Sequence, residues 1–109
     1  MAEHLLQKAV DENSQCVDCR GEPVTHISVQ NGVTLCAACA TVHSRFLQRE
    51  FVSWVRPTIG VSWRDDHLQP LLKGGNTKFN YRVPKSLGIE NGTRYNSEDA
   101  QKYRALLSG

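Results

Sequence analysis

The sequence has no long apolar segment and no leader-like beginning. None of its 109 residues lies in a stretch approaching the roughly 20 apolar residues that a membrane-spanning helix needs. The first residues, MAEHLLQKAVDEN, contain no basic segment followed by an apolar run, so no secretory signal is predicted. We therefore expect a cytoplasmic protein in a reducing compartment, where paired cysteines indicate a metal site more often than disulfides.

Net charge and large apolar side chains are also scarce. The net charge is +2 and the isoelectric point is about 8.4, below the value of about 9 that is usual for basic nucleic-acid-binding domains. No nucleic-acid partner is therefore expected. Large apolar side chains that could fill a core are few: three Phe, two Trp, three Tyr and one Met. A bound metal would therefore supplement the stability that packing provides. No phosphate-binding loop sequence occurs, so the chain is not predicted to hydrolyse GTP by itself.

Apolar spacing and turn residues predict an α+β fold. A first helix is expected over residues 2–12, and Asn31-Gly32 predicts a tight hairpin between residues 26–29 and 32–35. A helix is expected from Ala37 to about residue 51, followed by an extended or looped connection over 53–63. Ser62 is the predicted cap of a short helix that ends at Lys73, before Gly74-Gly75, and that Pro70 should kink or shorten. Residues 77–96 read as a loop, and Ser97 caps a last helix.

Four cysteines form the strongest motif. Two Cys-x2-Cys pairs are separated by sixteen residues, and they comprise Cys16, Cys19, Cys36 and Cys39. Each pair can present two sulfurs to one ion about 2.3 Å away, and the intervening hairpin brings the second pair to the first. Four thiolates leave no open coordination position, so the pattern predicts one structural Zn²⁺; two disulfides are the less favoured alternative. His43 follows the fourth cysteine and is interpreted as a packed or hydrogen-bonded histidine instead of a ligand.

The residues around the cysteines resemble the zinc finger of the Arf GTPase-activating protein (ArfGAP) family. The shared positions are an Asn before Cys-x-Asp-Cys, then Pro, Ser, a Gly before the third Cys, and a His after the fourth: Asn13, Asp18, Pro23, Ser28, Gly32 and His43. The resemblance continues in Ser53-x-Val55-Arg56, in a Trp63 segment with Asp66, Leu68 and Leu71, in Gly75-Asn76-x3-Asn80, and weakly in Lys102-Tyr103. It implies one divergent ArfGAP-like domain over residues 1–109, with a zinc module at about 13–48 and a helical remainder at about 49–109.

The resemblance also implies an activity. Such domains stimulate GTP hydrolysis by Arf-type small GTPases and are not themselves the hydrolysing enzyme. The working residue of the family is an arginine directly after the histidine, but here that position is Ser44 and the next residue is Arg45. Arg45-Phe46-Leu47 matches the family's Arg-x-Leu, so Arg45 is the candidate arginine finger after a one-residue insertion. On a regular helix one extra residue turns a side chain by about 100° and advances it by 1.5 Å, so only a local bulge would absorb it.

Several interpretations stay open at this stage. Arg45 could equally be a solvated helix residue in a catalytically weak relative that only binds a GTPase or another protein. A GATA-like DNA-binding finger is the third alternative, although the segment after Cys39 is poorly basic. Arg49 and Arg56 are candidate partner-binding residues, with a salt bridge as the alternative for Arg56. The expected partner is an Arf-type GTPase, with a membrane contacted only indirectly and a peripheral location at Golgi or vesicle membranes.

Further expectations concern single side chains. The two tryptophans, Trp54 and Trp63, are expected to fill the core. Asn76 and Asn80 are expected to bond backbone groups and so hold helices together. The positive charges of Arg45, Arg49, Lys73 and Lys78 could meet an acidic partner or a membrane surface, but a solvated face is the favoured interpretation.

Overall fold

The computed structural model describes residues 2–47, 53–83 and 93–108. In chain order its elements are α1 (Ala2–Glu12), β1 (His26–Ser28), β2 (Val33–Leu35), α2 (Ala37–Val42), a π-helical turn (His43–Leu47), β3 (Val55–Pro57), α3 (Asp65–Lys73), α4 (Asn76–Arg82), α5 (Thr93–Asn96) and α6 (Glu98–Ser108). The α+β prediction is confirmed. In the described part of the chain, no helix has the length and apolar character needed to span a membrane.

The first helix forms where apolar spacing predicts it. Ala9 is buried, and Leu5, Leu6 and Val10 pack partly buried against a cluster that includes Ile27, Val29, Trp63, Leu68 and Leu71. Its main helical neighbour is therefore α3, while Val10 also reaches the cluster that contains Cys16. Helix α1 therefore packs mainly on α3 and only secondarily on the cysteine-bearing part of the chain.

The three strands form one antiparallel sheet, in which their order is β2-β1-β3. The predicted hairpin forms, with Ile27 opposite Thr34 in β2 and opposite Arg56 in β3. Gly32 closes the turn with φ +62°, and a Cβ at this position would lie 2.4 Å from the Pro70 carbonyl oxygen. Glycine is required here because the turn needs left-handed backbone and because α3 passes directly over it.

The later helices differ from the sequence-based expectations. The prediction of a loop over 77–96 is wrong, since α4 and α5 occupy its described ends. Helix α3 ends at Lys73 as expected and is not cut short at Pro70, but its N-terminal cap position is Arg64 instead of Ser62. Ser97 does cap the last helix, because its hydroxyl accepts a hydrogen bond from the Ala100 N–H at 3.2 Å. The part of the helix predicted after Leu47 lies outside the described residues.

The second core cluster joins the metal-side elements to the C-terminal helices. Phe79 of α4 stacks on Tyr95 of α5 at 5.3 Å and meets Tyr103 of α6 edge-on at 5.5 Å. Val17, Val33 and Leu35 lie in the same cluster as Cys16 and Cys39. The C-terminal helices therefore pack against the cysteine-bearing part of the chain, which is the link that positions the site.

Candidate metal centre and arginine turn

The first pair of cysteines is shaped by a tight backbone turn. The Arg20 N–H donates to the Cys16 carbonyl at 2.8 Å, and the Cys16 N–H donates to the Gly21 carbonyl at 2.9 Å. The Gly21 N–H also points at Cys19 Sγ, 3.3 Å away, and a Cβ on Gly21 would lie 3.1 Å from that sulfur. Such N–H donors stabilise a thiolate, because they place partial positive charge beside it.

The second pair lies at the beginning of α2. Cys36 occupies the N-cap position, and its carbonyl accepts from the Ala40 N–H at 2.9 Å. One helical turn later, Cys39 is buried beside Ala40. The hairpin of β1 and β2 carries this pair back to the first, as the sequence pattern predicts.

The four sulfur atoms all lie within 4.8 Å of one another. A tetrahedron with Zn–S bonds of about 2.3 Å has S···S edges of about 3.8 Å, and Cys19 Sγ and Cys36 Sγ are 3.5 Å apart. All four cysteines are free thiols, and that separation is far beyond a disulfide bond of about 2.05 Å. The four cysteines are therefore positioned to bind one metal ion, and an all-thiolate tetrahedral donor set fits a structural Zn²⁺.

His43 lies next to this centre and is engaged on both ring nitrogens. Its Nε2 is 2.9 Å from Asp18 Oδ2, and its Nδ1 is 2.6 Å from Ser53 Oγ. The side chain is fully buried, and the Tyr95 ring packs edge-on against it at 4.4 Å. The interpretation of His43 as a hydrogen-bonded core residue is confirmed.

Asp18 is the centre of a buried ionic cluster. Its Oδ1 accepts from Arg94 Nη1 at 2.8 Å and from the Tyr95 hydroxyl at 2.7 Å, and its side chain is only 2% exposed. Burial acts to raise the Asp18 pKa, but the hydrogen bonds of His43 and Tyr95 and the charges of His43 and Arg94 outweigh it and hold this pKa below its usual range. Asp18, between two metal-ligand cysteines, therefore stays ionised in the interior.

The polar cluster extends into the sheet. Ser53 Oγ is 2.6 Å from Ser28 Oγ, which accepts from Asn31 Nδ2 at 2.9 Å. Asn31 Oδ1 in turn accepts from Arg104 Nη1 of α6 at 3.0 Å. A continuous set of hydrogen bonds therefore joins the π-helical turn to the hairpin and to the last helix.

Sequence reasoning missed Arg94 and Tyr95. They lie 76 and 77 residues after Asp18, in a segment whose sequence predicts a loop. Arg94 is 1% exposed and also donates to Asn80 Oδ1 at 2.6 Å and to the Val83 carbonyl at 3.0 Å. An arginine and a tyrosine in a polar stretch carry no pattern that marks them as buried, so no local signal could have found them.

Asn76 ties α4 to the metal-side segment as predicted. Its Oδ1 accepts from the Thr34 N–H at 2.9 Å, and its Nδ2 donates to the Gln15 carbonyl at 2.7 Å. Its own N–H donates to Asn13 Oδ1 at 2.9 Å. Asn80 differs from the expectation, because its Oδ1 is bonded to the Arg94 side chain and not to the backbone.

The three candidate arginines are placed differently. Arg45 lies in the π-helical turn with an exposed side chain, and within the described ranges it has no hydrogen-bond or ion-pair partner. Arg49 lies outside the described residues. Arg56 is half-buried: its guanidinium carbon is 5.1 Å from the Trp54 ring centroid and 5.0 Å from that of Trp63.

The contacts of Arg56 support a structural role. Its Nη2 donates to the Ser62 carbonyl at 2.8 Å, and among the described residues no carboxylate pairs with it. Trp63 is 8% exposed and fills the core as predicted. The same prediction is wrong for Trp54, which is 39% exposed because its ring covers the Arg56 guanidinium at the surface. The site therefore combines a partly buried metal centre, a buried ionic cluster and one exposed arginine.

We expect the substitution Asp18→Asn to lower the free energy of unfolding by about 3–5 kcal/mol. Removing one partner of a buried ion pair leaves the other charge, here Arg94, without compensation. Urea unfolding at neutral pH of the zinc-loaded protein would measure the loss. The matched control is Asp66→Asn, whose ion pair with Arg64 is more than half exposed and should contribute at most about 1 kcal/mol. Equal losses in the two variants would contradict the central role of Asp18.

The fold and site define a small α+β domain organised around a four-cysteine metal centre. A family model described as "Putative GTPase activating protein for Arf" matches residues 1–108. The chain belongs to this ArfGap family, which confirms the resemblance and decides against the GATA-like alternative. The family is one of GTPase activators that act on Arf GTPases.

Solved structures of low sequence identity share the fold. One is a "putative GTPase activating protein for ADP ribosylation factor from Cryptosporidium parvum", at TM-score 0.76 and 20% identity over 99% of this chain and 92% of that one. The ArfGap domain of HIV-1 Rev binding protein matches at TM-score 0.65 and 16% identity, over 97% and 79% of the two chains. The ArfGap domain of human RIP matches at TM-score 0.67 and 15% identity, over 97% and 78%.

Proposed function

We propose that this chain stimulates GTP hydrolysis by an Arf-type small GTPase and that Arg45 is its arginine finger. The observation that carries the proposal is that the Arg45 side chain is exposed and is not engaged by other described residues. Its guanidinium is exposed and, in the described part of the chain, has no partner that would have to be broken before it enters another active site. The residue two positions earlier, His43, is by contrast fully buried and bonded.

The π-helical turn supports the insertion hypothesis. Helix α2 is α-helical to Val42 and continues as π-helix over His43–Leu47, which includes Ser44 and Arg45. A π-turn holds more residues per turn than an α-helix, so it can absorb one inserted residue locally, and such turns occur frequently at functional sites. The π-helical turn therefore supports the proposal that the displaced Arg45 acts as the finger.

The chemistry follows from charge development during phosphoryl transfer. Negative charge spreads over the transferring group in the transition state, and a guanidinium supplied by a partner stabilises it. Arginine suits this task because it is always charged and offers a planar fork of donors. The hydrogen bonds of His43 to Asp18 and Ser53 hold one end of the turn, so they would pre-position the Arg45 backbone before the GTPase binds.

Single-turnover GTP hydrolysis tests the proposal. A panel of Arf-type GTPases loaded with GTP is mixed with saturating zinc-loaded domain, and phosphate release is followed. We expect acceleration of about 10³–10⁵ for the cognate GTPase. If no GTPase of the panel is accelerated while at least one binds the domain, the second candidate function holds instead. That candidate is a binding module without catalysis, which the displaced arginine favours.

The cellular setting belongs to the same proposal. Arf-type GTPases as partners imply a cytoplasmic protein that acts in vesicle trafficking, peripherally at Golgi or vesicle membranes. The membrane would be contacted through the GTPase. Arg49 and Arg56 stay predictions as partner contacts, and Trp54, exposed beside Arg56, extends that surface.

A further inference from the structure

A groove separate from the arginine turn lies between α4, α6 and the end of α3. Its volume is about 480 Å³, and it is lined by Lys73, Thr77, Lys78, Tyr81, Arg82, Tyr103, Leu106 and Leu107. None of the interactions described for the metal centre or for Arg45 uses these side chains. The groove is therefore a surface that the proposed activity does not explain.

The floor of the groove is apolar and recessed, whereas its edges project. Tyr103 and Leu107 are 5% and 7% exposed, while Tyr81 and Leu106 at the edges are 84% and 62% exposed. The Tyr103 hydroxyl is buried and has no hydrogen-bond partner among the described residues, which native structures seldom leave uncompensated. Two projecting apolar side chains around a recessed floor form a slot for another apolar group.

The charged side chains that line the groove are all positive. Lys73, Lys78 and Arg82 line it, and no Asp or Glu of the described chain does. Lys73 Nζ donates to the Leu107 carbonyl and Lys78 Nζ donates to the Lys73 carbonyl, which uses one of the three donors of each ammonium. Arg82 is exposed and has no hydrogen-bond or ion-pair partner in the described residues. The groove thus keeps uncompensated positive charge.

We infer that this groove binds an acidic peptide segment of a partner protein that carries an apolar side chain among its carboxylates. Charge complementarity selects the acidic segment, and the recessed floor selects the apolar side chain. A membrane surface fits less well, because a bilayer cannot reach apolar atoms that lie below the groove's edges. The inference does not rest on the proposed activation of a GTPase.

Selection from a random library tests this groove directly. A phage-displayed library of random twelve-residue peptides is panned against the zinc-loaded chain, and the recovered peptides are synthesised with a fluorescent label. We expect peptides with Asp or Glu flanking an apolar residue, bound more weakly as salt is raised. Arg82→Glu and Leu106→Ser should each weaken their binding about tenfold or more. Both residues are exposed, so neither change should unfold the chain.

Matched substitutions outside the groove serve as controls. Lys8→Glu repeats the charge reversal at an exposed side chain of α1. Ile59→Ser repeats the replacement of an apolar by a polar residue at a side chain that is 85% exposed. The inference is overturned if no acidic–apolar peptides are enriched, or if those enriched bind the groove variants as well as they bind the controls. The inference is also overturned if the groove variants lose self-association of the chain, or binding to phosphatidylserine vesicles, while their binding to the selected peptides is unchanged. GTP hydrolysis should be unchanged in Leu106→Ser, so failure here leaves the proposed function intact.

Discussion

Replacing Arg45 by Ala should remove about 10³-fold or more of the stimulated GTP hydrolysis, the range in which arginine fingers contribute. The fold should be unaffected, because the Arg45 side chain is exposed and has no partner among the described residues. Arg45→Lys should be nearly as inactive, since a compact ammonium keeps the charge but cannot present the planar fork of donors. Single-turnover phosphate release at saturating domain is the measurement, and zinc content and thermal unfolding establish that the variants are intact.

A swap of two neighbouring residues separates the two hypotheses about the insertion. The double variant Ser44→Arg/Arg45→Ser moves the arginine directly after His43, to the position where the family has it. If the π-helical turn already directs Arg45 productively, the swap should lose stimulation, because it moves the guanidinium one position back along the turn and points it in a different direction. A swap that gains stimulation over the natural sequence would show that Arg45 is misplaced. Arg64→Ala, an exposed arginine in α3's cap position, is the neutral control.

The parts of the fold that could be predicted have strong local signals. Apolar spacing over residues 2–12 predicted α1, and Asn31-Gly32 predicted the hairpin. The regular cysteine spacing predicted the metal centre and, with the surrounding residues, the family. These signals depend on a few neighbouring residues, or on a cysteine spacing that metal binding requires. They can therefore be recognised in the sequence without knowledge of the tertiary structure.

The parts that were missed depend on distant partners. The segment over 53–63 is expected to be extended or looped, but the sequence does not show that its Val55–Arg56 part pairs with β1, some thirty residues earlier, to form strand β3. Helix α4 has one buried apolar side chain, Phe79, and is held by the hydrogen bonds of Asn76. The ionic cluster of Asp18 and Arg94 joins residues 76 positions apart. Such features depend on contacts between residues that are distant in the sequence. Neither helix or strand propensity nor apolar periodicity contains information about those contacts.

Removal of zinc should unfold the domain. Two of the four cysteines that hold it are part of the core: Cys16 and Cys39 are 1% and 7% exposed, and they pack with Val17, Val33 and Leu35. Burial raises the pKa of both thiols, so without a cation these sulfurs would be protonated. No attraction between a metal ion and thiolates would then hold the four cysteines together. Structural zinc contributes about 10–16 kcal/mol in small fingers, as much as or more than the whole stability of a typical domain.

Chelation and a single substitution measure the same contribution independently. Exhaustive treatment with a zinc chelator should abolish the dispersed amide signals of the NMR spectrum, and added Zn²⁺, but not Mg²⁺, should restore them. Cys39→Ser should behave like the chelated protein, because a hydroxyl at this position stays protonated and binds zinc poorly. Elemental analysis should give one zinc per chain. A chelated domain that keeps its dispersed spectrum would mean that packing and the Asp18–Arg94 cluster alone hold these segments together, and the metal would then be dispensable for the fold.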